Sequence, residues 1–178
     1  GGTINISNAG TITGNGGSGT IGIYSHVNKA GGLKTDASVT LTGGTINLGS
    51  VTGAIGVYVN KGQITDTTGS TITVGNNGIG IYAKDADLNL NGTTINLHGN
   101  NALGMYLEGD TNLFTGNGTI DINGQNVVLF YMDTAAGNTI NNNFVVTSTA
   151  GSTYTLGNIK GGAFEYTGNS VLASNGTL

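Results

Sequence analysis

The sequence predicts an all-β protein: a parallel β-helix of about seven coils, with roughly 24 residues per repeat and three short strands per coil. Three observations carry this. A tetrapeptide recurs as Ile21-Gly22-Ile23-Tyr24, Ile55-Gly56-Val57-Tyr58, Ile79-Gly80-Ile81-Tyr82 and Leu103-Gly104-Met105-Tyr106, with a weaker Val128-Leu129-Phe130-Tyr131. From Tyr58 the tyrosines fall 24, 24 and 25 residues apart, each preceded ten to twelve residues upstream by a Thr-Ile pair at Ile46, Ile72, Ile95 or Ile120. Apolar residues also alternate with polar ones, as in Thr45-Ile46-Asn47-Leu48, which is the period of a strand. A fixed period of this size means one supersecondary unit stacked on copies of itself.

Within the repeat 69–92 the alternation predicts strands at Thr71–Val74, Ile79–Lys84 and 87–91. Asn76-Asn77-Gly78 supplies the first corner, because Asn and Gly accept positive φ at low cost. No two-residue hairpin signal joins these strands, so they are expected to pair in parallel with their equivalents one repeat on. Beyond Tyr131 the period degrades, and residues 132–178 are expected to form irregular coils. Phe144, Val145 and Val146 stand in for the Thr-Ile strand there.

Composition narrows the function classes. Thirty-four glycines and 8% charged residues would suggest disorder, were the aliphatic residues not so regularly placed. The chain has no Cys for disulfide or thiolate-metal chemistry, and no Pro to interrupt interior strands. It has no Arg, and its net charge of -4 argues against nucleic acid as a partner. No apolar run approaches the ~20 residues of a membrane helix, and no signal peptide is present. Residues 1–178 therefore read as one elongated monomeric unit, and as a piece of a longer array.

Stacking turns sequence positions into columns. If Ile79 and Ile81 point inward, Gly80 and Tyr82 share the outer face. A column of Tyr24, Tyr58, Tyr82, Tyr106 and Tyr131 then stands beside a column of glycines. The rings either stack on their own kind and shield the strand, or form a platform for sugars or for an aromatic partner surface. Charges, Lys61 and Asp66 among them, are expected to follow the tyrosine strand along one solvated corner, where Asp85 and Asp87 lie one rung from Glu108 and Asp110. Lys84 or a calcium ion could relieve that repulsion. No Gly-x-Gly-x-Asp repeat occurs, so these four acids are weak metal candidates and no cofactor is expected.

Tyr24 and Ile46 are 22 residues apart, against 13 or 14 in the next three repeats. About eight extra residues therefore leave the coil, in a lateral loop placed at residues 25–34. Long excursions from a regular scaffold are where specificity tends to sit, so His26, Asn28, Lys29 and Lys34 are candidate binding residues. Catalysis is not expected. Asp85 and Asp87 share one strand face at an exposed corner, where nothing would raise a pKa, and His26 and His98 fall far apart in register. The Asn-Gly-Thr triplets at Asn91, Asn117 and Asn175 match the N-glycosylation pattern and are explained by turn chemistry.

Gly-Thr-Ile-Asn-Leu followed by Gly-Ile-Gly-Ile-Tyr-Ala, in Gly-, Thr- and Asn-rich repeats without Cys or Pro, resembles the passenger region of large type V secreted autotransporter adhesins, fusobacterial ones in particular. The resemblance spans residues 1–131 well and the remainder loosely. It implies a right-handed β-helix on the outer-membrane surface, displayed by a separate C-terminal barrel. It also implies adhesion to host cells or other bacteria through a glycan or protein receptor. A passive stalk holding up a distal binding tip, and a polysaccharide-degrading β-helix, are the other readings of the same architecture.

Overall fold

The structure, a computed structural model, describes residues 4–27, 37–110, 113–134, 139–161 and 163–166. Among them are sixteen strands and no helix. The first coil holds β1 (Ile4–Asn8), β2 (Thr11–Thr13) and β3 (Ile21–His26); the second holds β4 (Ala37–Leu41), β5 (Thr45–Leu48) and β6 (Ile55–Asn60). The third holds β7 (Gln63–Asp66), β8 (Thr71–Val74) and β9 (Ile79–Lys84). Later coils have two longer strands each: β10 (Asp87–Leu97) with β11 (Leu103–Gly109), β12 (Leu113–Ile122) with β13 (Val127–Thr134), and β14 (Thr139–Ser148) with β15 (Tyr154–Gly161). Strand β16 (Ala163–Tyr166) opens a further coil.

All pairing is parallel, between a strand and its equivalent one coil on. A ten-stranded sheet runs β1-β4-β7-β10-β12-β14-β16, with β2, β5 and β8 joining it through β10; a six-stranded sheet runs β3-β6-β9-β11-β13-β15. This is the parallel β-solenoid that the period predicts. The described coils make six rungs in the smaller sheet, slightly fewer than the expected seven.

Three short strands per coil hold only for the first three coils. In the fourth, the segments expected as separate strands fuse into β10. Its first half pairs with β7 and its second with β8, and a register shift against β12 lies between Asn91 and Thr93. The corner there has shrunk to Gly92 at φ 74°, a conformation that glycine adopts without strain. The opposite corner is as predicted: Asn77, Asn101 and Asn126 stack in consecutive coils at φ 55°, 56° and 56°. Their ladder is closed by Asn77 N donating to Asn100 O and Asn100 N donating to Asn76 Oδ1, each at 2.9 Å.

The core is a set of aliphatic columns. Ile46, Ile72, Ile95, Ile120 and Val146 form one, and Ile23, Val57, Ile81, Met105 and Phe130 face it from the smaller sheet, all buried. The buried apolar side chains of one coil cannot be covered by that coil alone, so neighbouring coils stabilise each other.

The glycine column is where the structure corrects the sequence reading. Gly80 does not share the outer face with Tyr82. Gly80 and Ile81 are both buried, and the register pairs Ile79 with Leu103 and Ile81 with Met105, skipping the glycine. A Cβ on Gly80 would lie 2.7 Å from Ile95 Cγ2 and 2.7 Å from the Gly104 carbonyl oxygen; Gly22 and Gly56 face Ile46 and Ile72 in the same way. Glycine is needed here because an isoleucine methyl from the opposite sheet fills the space. Two consecutive inward positions reverse the alternation, so the first residue of the motif turns outward, most clearly Ile21 at 38% exposure.

The extra residues fall in sequence between β3 and β4. Ten residues separate His26 from Ala37, against two between β6 and β7 and two between β9 and β10. His26 itself ends β3, in register with Asn60. Asn28, Lys29 and Lys34 lie outside the described residues.

Candidate functional site

The structure brings Tyr24, Tyr58, Tyr82, Tyr106 and Tyr131 together as one outward ladder, because each occupies the same register position of β3, β6, β9, β11 and β13. Successive ring centroids are 5.1, 5.0, 4.5 and 4.6 Å apart. The first and last pairs are stacked, with planes 5° and 14° apart; Tyr58 meets Tyr82 edge-on at 81°. These are the favourable arrangements for aromatic quadrupoles. The ladder ends at β15, where Asn158 follows Tyr131 and Lys160 Nζ sits 5.2 Å from the Tyr131 ring centroid. At the other end Tyr24 is 56% exposed.

Ring faces turned on one another are not free for a sugar. Between Tyr58 and Tyr131 each ring has a neighbour on either side, so the ladder fits the stacking and shielding alternative better than the platform. Beside it, Ile21, Ile55, Ile79, Leu103 and Val128 form a partly exposed aliphatic column, an outcome of the reversed alternation.

The charged corner is less repulsive than expected. Glu108 lies in register with Lys84, and Lys84 Nζ donates to its Oε1 at 2.9 Å. Tyr82 donates its hydroxyl to Oε2 of the same carboxylate. The Tyr82 and Lys84 hydrogen bonds hold the Glu108 carboxyl below its usual range. Burial first, and then the Glu108 hydrogen bond, push the Tyr82 phenol up; the Glu108 bond raises Lys84. Asp85, at φ 49°, accepts from the Asp110 N–H at 2.7 Å. Asp87 has passed the corner and begins β10, in register with Gln63. The four acids are therefore spread over a corner and two sheets, and no group of three or more metal-ligating side chains exists among the described residues.

Asp66, read from sequence as part of the solvated stripe, is 1% exposed. It occupies the inward register position shared with Leu41 and Leu90. Its carboxylate turns into the adjacent corner, where it accepts from Ser70 N at 2.8 Å, Ser70 Oγ at 3.2 Å and Thr93 Oγ1 at 2.7 Å, and from the N–H groups of Thr68 and Gly69. The Asp-Thr-Thr-Gly-Ser sequence is an Asx-turn signal that could have revealed this.

His26 is half-buried, its ring centroid 6.2 Å from that of Tyr24, and its Nδ1 is buried without a hydrogen-bond partner. His98 lies far from it and contacts Asp121 at 3.4 Å. The sequence reading also passed over the outer face of the ten-stranded sheet, where Thr and Asn repeat in columns. Comparison of the chain with protein-family models, curated proteins and solved structures returned no match.

Proposed function

We propose that this chain is a non-catalytic adhesive segment of a bacterial surface protein, binding host cells or other bacteria through glycan or protein receptors. The observation that carries this reading is the repetition of uncharged polar side chains at one-rung spacing over a rigid solenoid. Such a surface offers many weak, equivalent contacts to a repetitive receptor, which suits attachment better than turnover. In this reading a separate C-terminal barrel anchors the protein in the outer membrane, and nucleic acid is not a partner.

A second reading is favoured by the tyrosine ladder. Rings that spend their faces on each other stiffen the solenoid and leave little to bind with, as a stalk requires. Binding of the isolated chain to epithelial cells and to a glycan array separates the two. Saturable binding supports adhesion, and binding by other segments of the parent protein but not by this one supports the stalk. Release of new reducing ends from pectin, glycosaminoglycan or mucin glycans would refute both.

A further inference from the structure

The outer face of the ten-stranded sheet carries a trough remote from the tyrosine ladder. We propose that it binds neutral oligosaccharides, an inference that deepens the adhesive reading and rests on it. The main hollow has a volume of about 490 Å³ and spans β7, β10, β12 and β14; a second, of about 180 Å³, adjoins it, and both are lined by Thr65 and Asn89. Pockets for small ligands run to ~300–1,000 Å³.

Two columns of side chains define the trough. Thr65, Asn89 and Thr115 are register partners on successive strands, as are Asn91, Asn117 and Asn143 two residues further along. Rungs are ~4.8 Å apart and alternate residues ~6.6 Å apart along a strand, so hydroxyls and carboxamides are set out on a grid. A carboxamide presents one acceptor and two donor hydrogens, the complement of the adjacent hydroxyls of a pyranose.

Part of the grid is held in place before any ligand arrives. Asn117 Oδ1 accepts from Gly92 N at 2.8 Å, which turns its amino group away and leaves it to donate. Asn89 Oδ1 accepts from Thr115 Oγ1 at 3.4 Å, while the side chains of Asn91 and Asn143 are exposed. The one acid lining the main hollow is Asp66, whose oxygens are already taken by Ser70, Thr93 and the corner N–H groups. The main hollow therefore presents neutral polar groups, while Asp87 lines the adjoining one, and on a chain of net charge -4 the trough selects against sialylated or sulfated sugars.

The test is an NMR titration of the isotopically labelled chain with neutral tetrasaccharides of glucose, galactose and N-acetylglucosamine, and with a sialylated tetrasaccharide. Saturable shifts of the Asn91, Asn117 and Asn143 side-chain amides with at least one neutral sugar are expected, and weaker or no shifts with the acidic one. Asn91→Ala combined with Asn143→Ala should weaken binding at least tenfold with the melting temperature unchanged. No shift at 10 mM sugar, shifts confined to the tyrosine face, or unchanged affinity in the double variant would overturn the proposal. Cell binding that survives the double variant would remove the trough and keep the adhesive reading; trough binding without cell binding would do the reverse.

Discussion

Replacing Gly80 by alanine tests the inward glycine column directly. The new methyl would sit 2.7 Å from both Ile95 Cγ2 and the Gly104 carbonyl oxygen, well inside van der Waals contact. The isoleucine is 0% exposed and has no free space to move into, and the carbonyl belongs to the neighbouring rung. Overpacking a full core costs ~1–3 kcal/mol, and two simultaneous contacts of which one is backbone place this site at ~2–3. For a chain of this size each kcal/mol is worth ~2–4 °C, so the melting temperature should fall by about 4–12 °C. Ile95→Val should not rescue it, because valine keeps the offending methyl. Gly10→Ala is the control: nothing lies within 4 Å of a Cβ there, and the change should be neutral or slightly stabilising through the unfolded state. Thermal melts by circular dichroism, with urea titration for the free energies, measure both. A loss below about 0.5 kcal/mol for Gly80→Ala, or equal effects at the two sites, would mean that the glycines do not face the core.

Asp66→Ala should cost at least about 2 kcal/mol, because it strands the buried Ser70 and Thr93 donors; a cost below about 1 in urea titration would show that the corner re-pairs with water. Tyr106→Ala loses rings at 4.5 and 4.6 Å, and at ~0.5–1.5 kcal/mol per aromatic pair it should lower stability by roughly 1–3 kcal/mol while leaving cell binding unchanged. Abolished binding with unchanged stability would restore the platform reading. The Glu108 cluster predicts a pH dependence on both sides. The carboxyl is held below its ordinary value of 4.5, so its contribution is complete above that pH and is lost as the pH falls through the lower folded value. Lys84 and Tyr82 are raised, so their contributions are complete below their ordinary values of 10.5 and 10.0 and are lost as the pH rises through the higher folded ones. The stability advantage over Glu108→Gln should therefore shrink in acid and again in strong alkali, and a difference independent of pH would sink the assignment.

Periodicity and alternation determined the solenoid, two of the three strands of the sample repeat to the residue, the Asn corner and the tyrosine column. These are local or strictly repeating properties, and stacking identical units leaves them little freedom. The inward turn of Gly80 was not legible, because a side-chain period of two predicts alternation, and only contact with Ile95 on the opposite sheet shows that two consecutive residues face the core. The same holds for Asp66. Its sequence reads as surface charge, and the donors that make burial tolerable come partly from Thr93 in the next coil. The trough was invisible for a similar reason: Thr65, Asn89 and Thr115, and likewise Asn91, Asn117 and Asn143, are spaced by whole repeats and acquire a common face only through the register of β7, β10, β12 and β14. The sequence alone determined that this chain stacks on itself; tertiary structure decided which side of each strand the stack presents, because that depends on contacts between coils and not on the order of residues within one.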